Sequence, residues 1–345
     1  MRIPLPNLRD LVVDILVAVD VLPEHAETTA TRLTEADLRG RSGHGVIRVP
    51  YYVTRIEAGG LNLRPDVRIT RSTPVSGLVD GDNGLGQVVM TVATETAIAK
   101  AEDAGMAWVG TVRSNHAGAA GVYTEIAASQ GFIAMYMAVA SANVMPPWGG
   151  EDRLLGTNPI SIAIPGEGAS EFHLDIATTV ASHGTIKVLA QRGEDMPQGW
   201  VVGLDGVPIT DPKRADEGLL VPIGGYKGAG LNMAIGLLAG TLNGAAFGSE
   251  VIDHRAIPDQ AANTGQAIFV MRPDLFREVD DLRSAVGAAL TEMRGSGPSG
   301  AVHIPGDAAK RSRDEQMREG VELSDQVADE LASLARRLGV DHPLS

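Results

Sequence analysis

Residues 78–112, LVDGDNGLGQVVMTVATETAIAKAEDAGMAWVGTV, contain the change of character on which the fold class turns. Leu78 and Val79 read as a short strand, Asp80-Gly81-Asp82-Asn83-Gly84 as a turn, 87–104 as a helix and 106–112 as a second strand. N-terminal to this stretch the pattern is helical. Leu8, Leu11, Val12, Ile15 and Val19 recur at helical spacing, Pro23 interrupts, and a second helix runs to Leu38 before Gly40. A third, over 46–57, ends at Gly59-Gly60. C-terminal to it the pattern is mixed. Helices are predicted over 119–129, 231–242 (apolar and expected to be buried), 279–293 and 325–338, the last with Ser324 as N-cap. Strands are predicted over 132–139, 160–164, 172–176, 267–271 and 302–304. Residues 187–193 give no clear type, and 194–212 read as a loop with a hairpin turn at Asp205-Gly206. Helices followed by an irregular mixture predict α+β, since a doubly wound sheet alternates regularly.

The 345 residues suit one large domain or two to three smaller ones. Hydrophobic residues at 44% and charged residues at 21% are ordinary for a globular chain, and only the far C-terminal region approaches a disordered composition. A formal charge of -14 repels phosphate backbones and argues against nucleic acid as partner. A small anionic substrate would need a local basic site inside that field. With no cysteine, disulfides, thiolate metal sites and cysteine nucleophiles are excluded. The apolar start carries Arg9, Asp10, Asp14 and Asp20, and no stretch is long and apolar enough to span a membrane, so a cytoplasmic protein is expected.

The chain has one literal dinucleotide fingerprint, Gly295-Ser296-Gly297-Pro298-Ser299-Gly300. It follows a helix and precedes a strand, the reverse of the order that phosphate binding needs, and Pro298 removes an amide. It is a loop. None of the eight histidines forms an HExxH pair, and no GxSxG elbow is present. Ser42-Gly43-His44-Gly45-Val46-Ile47-Arg48-Val49-Pro50-Tyr51-Tyr52 is more informative. At helical spacing His44, Arg48 and Tyr52 share one face, with Pro50 tolerated only near the first turn. A guanidinium binds a carboxylate in a bidentate fork, and an imidazole exchanges protons near neutrality. A helix cap with a surface arginine satisfies the same spacing. His116, in Ser114-Asn115-His116-Ala117-Gly118, sits where a strand hands over to a helix, a frequent place for catalytic residues and equally for idle ones. Gly156-Thr157-Asn158-Pro159 and the cluster 224–230, which holds Lys227, could present amides to phosphates.

Together these pieces resemble the type 2 malate/L-lactate dehydrogenase family, which includes ureidoglycolate, sulfolactate, 2,3-diketo-L-gulonate and cyclic-imine carboxylate oxidoreductases. DLRGRSGHGVIRVPYY (37–52), RSNHAG (113–118), VMPPWGG (144–150), GTNP (156–159), LDIATT (174–179), DGVPITDP (205–212), PIGGYKGAG (222–230) and HIPGD (303–307) carry the resemblance over nearly the whole chain. It implies a helical domain joined to a non-Rossmann α/β domain that binds nicotinamide cofactor, in a homodimer. The corresponding boundaries are 1–70 for the helical substrate side, 71–300 for the cofactor-binding part and 301–345 for a segment packing back on the helical part.

The activity implied is hydride transfer between NAD or NADP, with NAD favoured, and a small 2-hydroxy or 2-oxo carboxylate. His44 and His116 match the proton-transfer histidines of different members, Arg48 the carboxylate-binding arginine and Tyr52 a substrate-pocket tyrosine. Cofactor contacts carry over to Ser141, to His173, Leu174, Asp175 and Ile176, to Lys227, and to Gly306 and Asp307. Asp175 could also orient a catalytic histidine. No metal is implied. Two departures affect substrate choice: Gly43 replaces the serine before the motif histidine, and Ala140 replaces an asparagine. The alternatives are reduction of a cyclic imino carboxylate at the same site and a cofactor-binding protein without catalysis.

Overall fold

The computed structural model describes residues 1–166, 172–298 and 300–341. The chain opens with β1 (Arg2–Ile3), α1 (Leu5–Ala18), α2 (Pro23–Leu38) and α3 (Val49–Glu57). It then forms β2 (Arg68–Thr73), β3 (Ser76–Asp80), α4 (Gly86–Ala104), β4 (Met106–Ser114), α5 (Ala120–Ser129), β5 (Ile133–Ala138), β6 (Ile160–Ile164) and β7 (Phe172–Ile176). α6 (His183–Arg192), β8 (Val201–Val202), β9 (Pro208–Ile209), β10 (Leu219–Leu220), α7 (Tyr226–Ala239) and β11 (Thr264–Met271) follow. α8 (Val279–Gly295), α9 (Asp307–Glu319), β12 (Val321–Glu322) and α10 (Asp325–Arg337) close it.

Among the described residues the main sheet has seven strands in the order β2-β3-β4-β11-β5-β6-β7. β3 and β4 pair in parallel and the other neighbours antiparallel. The architecture is α+β, as expected. α4 and α5 bury Val89, Met90, Ala93, Ala97 and Tyr123 against one face with Val109, Tyr136 and Ile268. α7 covers the other face through Ile235 and Ala239, against Met137, Ile160 and Ala267. A separate core is all helix: Leu8, Leu11, Val12 and Ile15 of α1 meet Leu33 of α2, Val53 of α3, and Leu331 and Leu334 of α10. β1 pairs with β12, so both ends of the chain meet in this core.

Local chemistry explains the boundaries. Pro23 opens α2, where its missing N–H costs nothing. Ser324 caps α10, its side chain accepting the Val327 N–H. The predicted turn after β3 forms with Asp82 at φ 46° and Asn83 at φ 60°, conformations that Asp and Asn tolerate best among non-glycines. The predicted hairpin turn joins β8 to β9, with Gly206 at φ 79°.

Two expectations need correction, and two segments without a clear assignment resolve. Residues 302–304 do not form a strand. The segment runs as a loop whose Pro305 carbonyl accepts the His173 N–H at 3.0 Å, and a β-carbon on Gly306 would press on His173. The polar run after it is not disordered in character but is α9. The apolar helix expected to be buried starts earlier, as α7, and only one side of it is buried: Leu237 is 51% and Leu238 39% exposed. Residues 187–193 fall mostly in α6, capped by Ser182, which accepts the Thr185 N–H. The literal fingerprint lies at the end of α8, with Gly300 at φ 78° in a turn; Ser299 is outside the described residues.

Candidate functional site

The segment before α3 is two 3-10 turns, Ser42–His44 and Val46–Arg48, joined at Gly45. The single helical face expected for residues 44, 48 and 52 is therefore not formed. Pro50 fits the first turn of α3, and the residues ahead of it coil more tightly. His44 and Arg48 nonetheless line one cavity of about 110 Å³ together with Tyr51, His116, Ser141, His254, Arg255 and Gln266. The rings of His44 and His116 stack at 5.5 Å with 16° between planes. Arg48 spends its Nε on the Gly43 carbonyl at 2.7 Å, which leaves its terminal nitrogens for an anion.

Tyr52 lies behind His116, and Tyr51 takes the place on the cavity wall. Gln87, in the first turn of α4, donates to the Tyr52 hydroxyl at 2.7 Å, and that hydroxyl meets His116 Nδ1 at 2.7 Å. Having accepted from Gln87, the hydroxyl can still donate to Nδ1 or accept from Nδ1–H, so the pair holds the ring in place in either neutral tautomer. The preceding residue is fixed as firmly. Asn115 donates to Asn83 and to the Gly84 carbonyl, at 3.0 and 2.8 Å, and accepts from Arg55 at 2.7 Å. Gly86 is required here because a β-carbon would overlap the carbonyls of Asn115 and His116.

Burial dominates the electrostatics. It lowers His44 to about 4, assisted by Arg48 and Arg41, and His254 to about 3, assisted by Arg55. His116 is held well below the ordinary imidazole range by burial and then by Arg48. Burial raises the Tyr52 hydroxyl to about 12. Three neutral imidazoles thus sit among Arg48, Arg55 and Arg255. Arg55 is 1% exposed and bonds to carbonyls of Gly60 and Gln260 as well as to Asn115, while Arg255 pairs with Asp253 at 3.0 Å. In a chain of charge -14 this is the local basic site an anionic substrate needs.

His254, Arg255 and Arg55 were not among the residues singled out from the sequence. Arg55 had a signal, since it lies seven residues beyond Arg48 and three beyond Tyr52. His254 and Arg255 sit in a loop with no motif around them.

The residues expected at a cofactor divide. Ser141 lines the first cavity. A second, larger cleft of about 400 Å³ is walled by α2, α5 and α9, with His173, Gly306, Arg39, Lys310 and Arg313 on its surface. A narrow cleft between the two shares Arg39, Val122 and His173 with the larger one, and holds Arg41 and Asp175. It begins at Ala119, one residue past Gly118 of the first cavity. His173 is already engaged, with Nε2 at 2.9 Å from the Thr124 hydroxyl and Nδ1 at 3.5 Å from Glu125. Leu174 is half-buried and Ile176 sits at the surface. The Asp175 carboxylate faces Arg41 at 3.7 Å, and the group against His116 Nδ1 is the Tyr52 hydroxyl. Asp307 pairs with Arg294 at 2.9 Å. Lys227 is exposed in the first turn of α7 and lines none of these three cavities. Among the described residues no cluster of His, Asp and Glu could hold a metal ion, and no helix is long and apolar enough to cross a membrane.

Comparison with known proteins gives one consistent answer. The family model described as malate/L-lactate dehydrogenase matches residues 3–332. The chain is 35% identical to the L-sulfolactate dehydrogenase of Methanocaldococcus jannaschii, over 97% of its own length and 96% of that protein's. The solved structure of that enzyme superposes with a TM-score of 0.89, covering 99% of this chain and 98% of the other. It is 34% identical to the ureidoglycolate dehydrogenase (NAD(+)) of Escherichia coli K12, over 96% of this chain and 95% of that one. It is 32% identical to the (2R)-3-sulfolactate dehydrogenase (NADP(+)) of Chromohalobacter salexigens, over 96% and 98%. The delta1-piperideine-2-carboxylate reductase of Pseudomonas syringae pvar. tomato superposes at a TM-score of 0.87 with 29% identity, covering 97% of this chain and 100% of that one.

Proposed function

Because this chain belongs to the malate/L-lactate dehydrogenase family, and is an NAD(P)-dependent oxidoreductase of small hydroxy acids, we propose that hydride transfer takes place in the cavity of His44, Arg48 and His116. The observation that carries this is the pairing, on one wall, of a guanidinium with open terminal nitrogens and an imidazole whose Nδ1 is fixed from behind by Tyr52.

The residues present fit a nicotinamide cofactor. His44 Nδ1 is buried without a hydrogen-bond partner beside the cavity, an orphan that a ligand would satisfy. Ser141 shares that cavity, while Asp175 and Gly306 line the two other clefts. When bound, the cofactor supplies or accepts the hydride, and the rest falls to the chain. Arg48 takes the substrate carboxylate as a bidentate fork. His116 Nε2 faces the 2-oxygen: it gives a proton in reduction and takes one in oxidation. In both directions the Tyr52 hydroxyl accepts from Nδ1–H, so Nε2 gives its proton from the charged ring and is bare to take one in the neutral ring. The substrate's negative charge on Arg48 offsets the cation that depresses both histidines, so protonation becomes easier once substrate is bound.

NAD is the favoured cofactor. Asp175 places a carboxylate in the small cleft beside His173, a group that suits ribose hydroxyls, with Arg41 as its neighbour. Lys227 belongs to the same assignment through its place in the glycine cluster. A homodimer in the cytoplasm completes the reading, supported by the apolar side of α7, where Leu231, Leu237 and Leu238 are exposed, and by exposed Leu242 just beyond it. The test is a turnover panel pairing NADH and NADPH with oxaloacetate, pyruvate and cyclic imines, read by loss of cofactor absorbance, with His116→Ala and His44→Ala assayed separately. Unimpaired hydride transfer in both variants would remove the proton-transfer assignment. A second reading, reduction of a cyclic imino carboxylate, is favoured by the structural similarity to the Pseudomonas reductase; preference for imines over oxoacids in that panel would establish it.

A further inference from the structure

Asp37 is an acid that this mechanism leaves unused. It stands in the last turn of α2 and is 3% exposed. Its Oδ2 accepts the Val46 N–H at 2.8 Å, the first amide of the second 3-10 turn. Gly45 packs so closely that a β-carbon there would overlap both carboxyl oxygens. The carboxyl group therefore fills the inside of the 42–48 segment at its midpoint, one residue after His44 and three before Arg48. Nor is it free to retreat. Gln316 of α9 donates to the carbonyls of Asp37 and Leu38, at 2.9 and 3.1 Å, and Ser312 donates to the Leu38 carbonyl at 2.9 Å.

We propose that Asp37 is a positioning residue: its carboxyl group sets the turn that presents His44 and Arg48, without touching substrate or cofactor. This rests on the assignment of those two side chains to the substrate site. Asp37 has no cationic partner among the described residues. The charged groups nearest to it in the fold are engaged elsewhere: Arg39 with Glu125, Arg41 with Asp175, and Arg313 of α9 with Glu35. His44 on the turn is neutral. Burial accordingly pushes the Asp37 carboxyl up to about 7, and the Val46 bond only partly opposes it. Above that pH an unpaired charge is buried under the turn, and opening of the turn becomes easier.

Two variants separate the roles of acceptor and charge. Asp37→Ala leaves the Val46 N–H buried without a partner, so its hydrogen exchange should quicken about ten-fold or more and KM for the hydroxy acid should rise by a similar factor. Asp37→Asn keeps an acceptor of the same shape. It should recover most of the protection and most of the wild-type KM, and should flatten the rise in KM that the wild type shows between pH 6 and 8. A lower melting temperature in Asp37→Ala with KM and pH profile unchanged would mean packing alone and overturn the proposal. Equal impairment of the Asn and Ala variants would also overturn it. If the wild type turns over no hydroxy acid, the functional reading fails instead, and Val46 exchange still decides whether Asp37 sets the turn.

Discussion

Replacing Tyr52 with Phe removes one oxygen and isolates its work. The ring is 3% exposed, so Phe keeps the packing, and what disappears is a hydroxyl holding two bonds of 2.7 Å. Gln87 suffers most: its Oε1 already has no partner, and its Nε2 would lose the one it has. His116 Nδ1 loses its only described bond. Each buried polar group left unpaired costs about 1–3 kcal/mol, so Tyr52→Phe should lose about 2–4 kcal/mol of stability, a fall of about 3–5 °C in melting temperature. The kinetic effect should be larger and selective. Arg48 is untouched, so substrate binding persists. The imidazole, no longer held in place, should lower kcat about 100-fold with KM changed less than about three-fold. Steady-state rates in both directions test this, with nitrogen NMR of the His116 ring as an independent readout of its tautomer. A kcat within two-fold of wild type, or a loss confined to KM, would refute the role given to the hydroxyl.

Arg48→Lys should raise KM for carboxylates about ten-fold or more while kcat changes less, since an ammonium cannot reproduce the fork; an unchanged KM would remove the arginine from the substrate site. Stability should fall with acid through His254. Its folded value of about 3 lies below the ordinary 6.5, so its contribution is fully present above about pH 6.5 and is lost as pH falls toward 3, to the extent of about 5 kcal/mol. His254→Gln should flatten that limb in melting temperature against pH, and an unaltered limb would exclude it as the cause. Arg55→Met should destabilise by about 3 kcal/mol or more, because carbonyls of Gly60 and Gln260 and the Asn115 side chain lose a shared donor. It should also lower kcat through the displaced Asn115-His116 step; wild-type kcat in the folded variant would contradict that coupling.

What the sequence could show followed from what each residue needed. α1, α4 and β4 announce themselves because their cores are apolar at fixed periods, Leu8-Leu11-Val12-Ile15 being the plainest case. α9 carries no such stripe. Its seating on α2 is polar, through Ser312, Arg313 and Gln316, and hydrophobic periodicity is blind to that. β2 was missed because every residue in it is exposed at the sheet edge. At the site, His44, Arg48 and His116 stood out through their glycine and asparagine neighbours. Tyr52 was found at the right place, yet its bond to His116 depends on how α3 meets the loop after β4, which no local pattern encodes. Much of the charge environment came from tertiary packing, which brings Arg55 within 3.4 Å of His254, whereas Arg41 and Arg48 act on His44 from nearby in the sequence.

The pairing of β1 with β12 also bears on how the chain is made. α1, α2 and α3 share their core with α10, so the first helices off the ribosome lack part of their packing until the last ones emerge. The whole sheet is synthesised in that interval. The nascent N-terminal helices then carry exposed Leu8, Leu11 and Ile15, the surface on which chaperones act, and loop closure between the chain ends falls late in folding. A chain shortened just before α10 would hold every residue of the cavity and still lack the helix that covers those side chains.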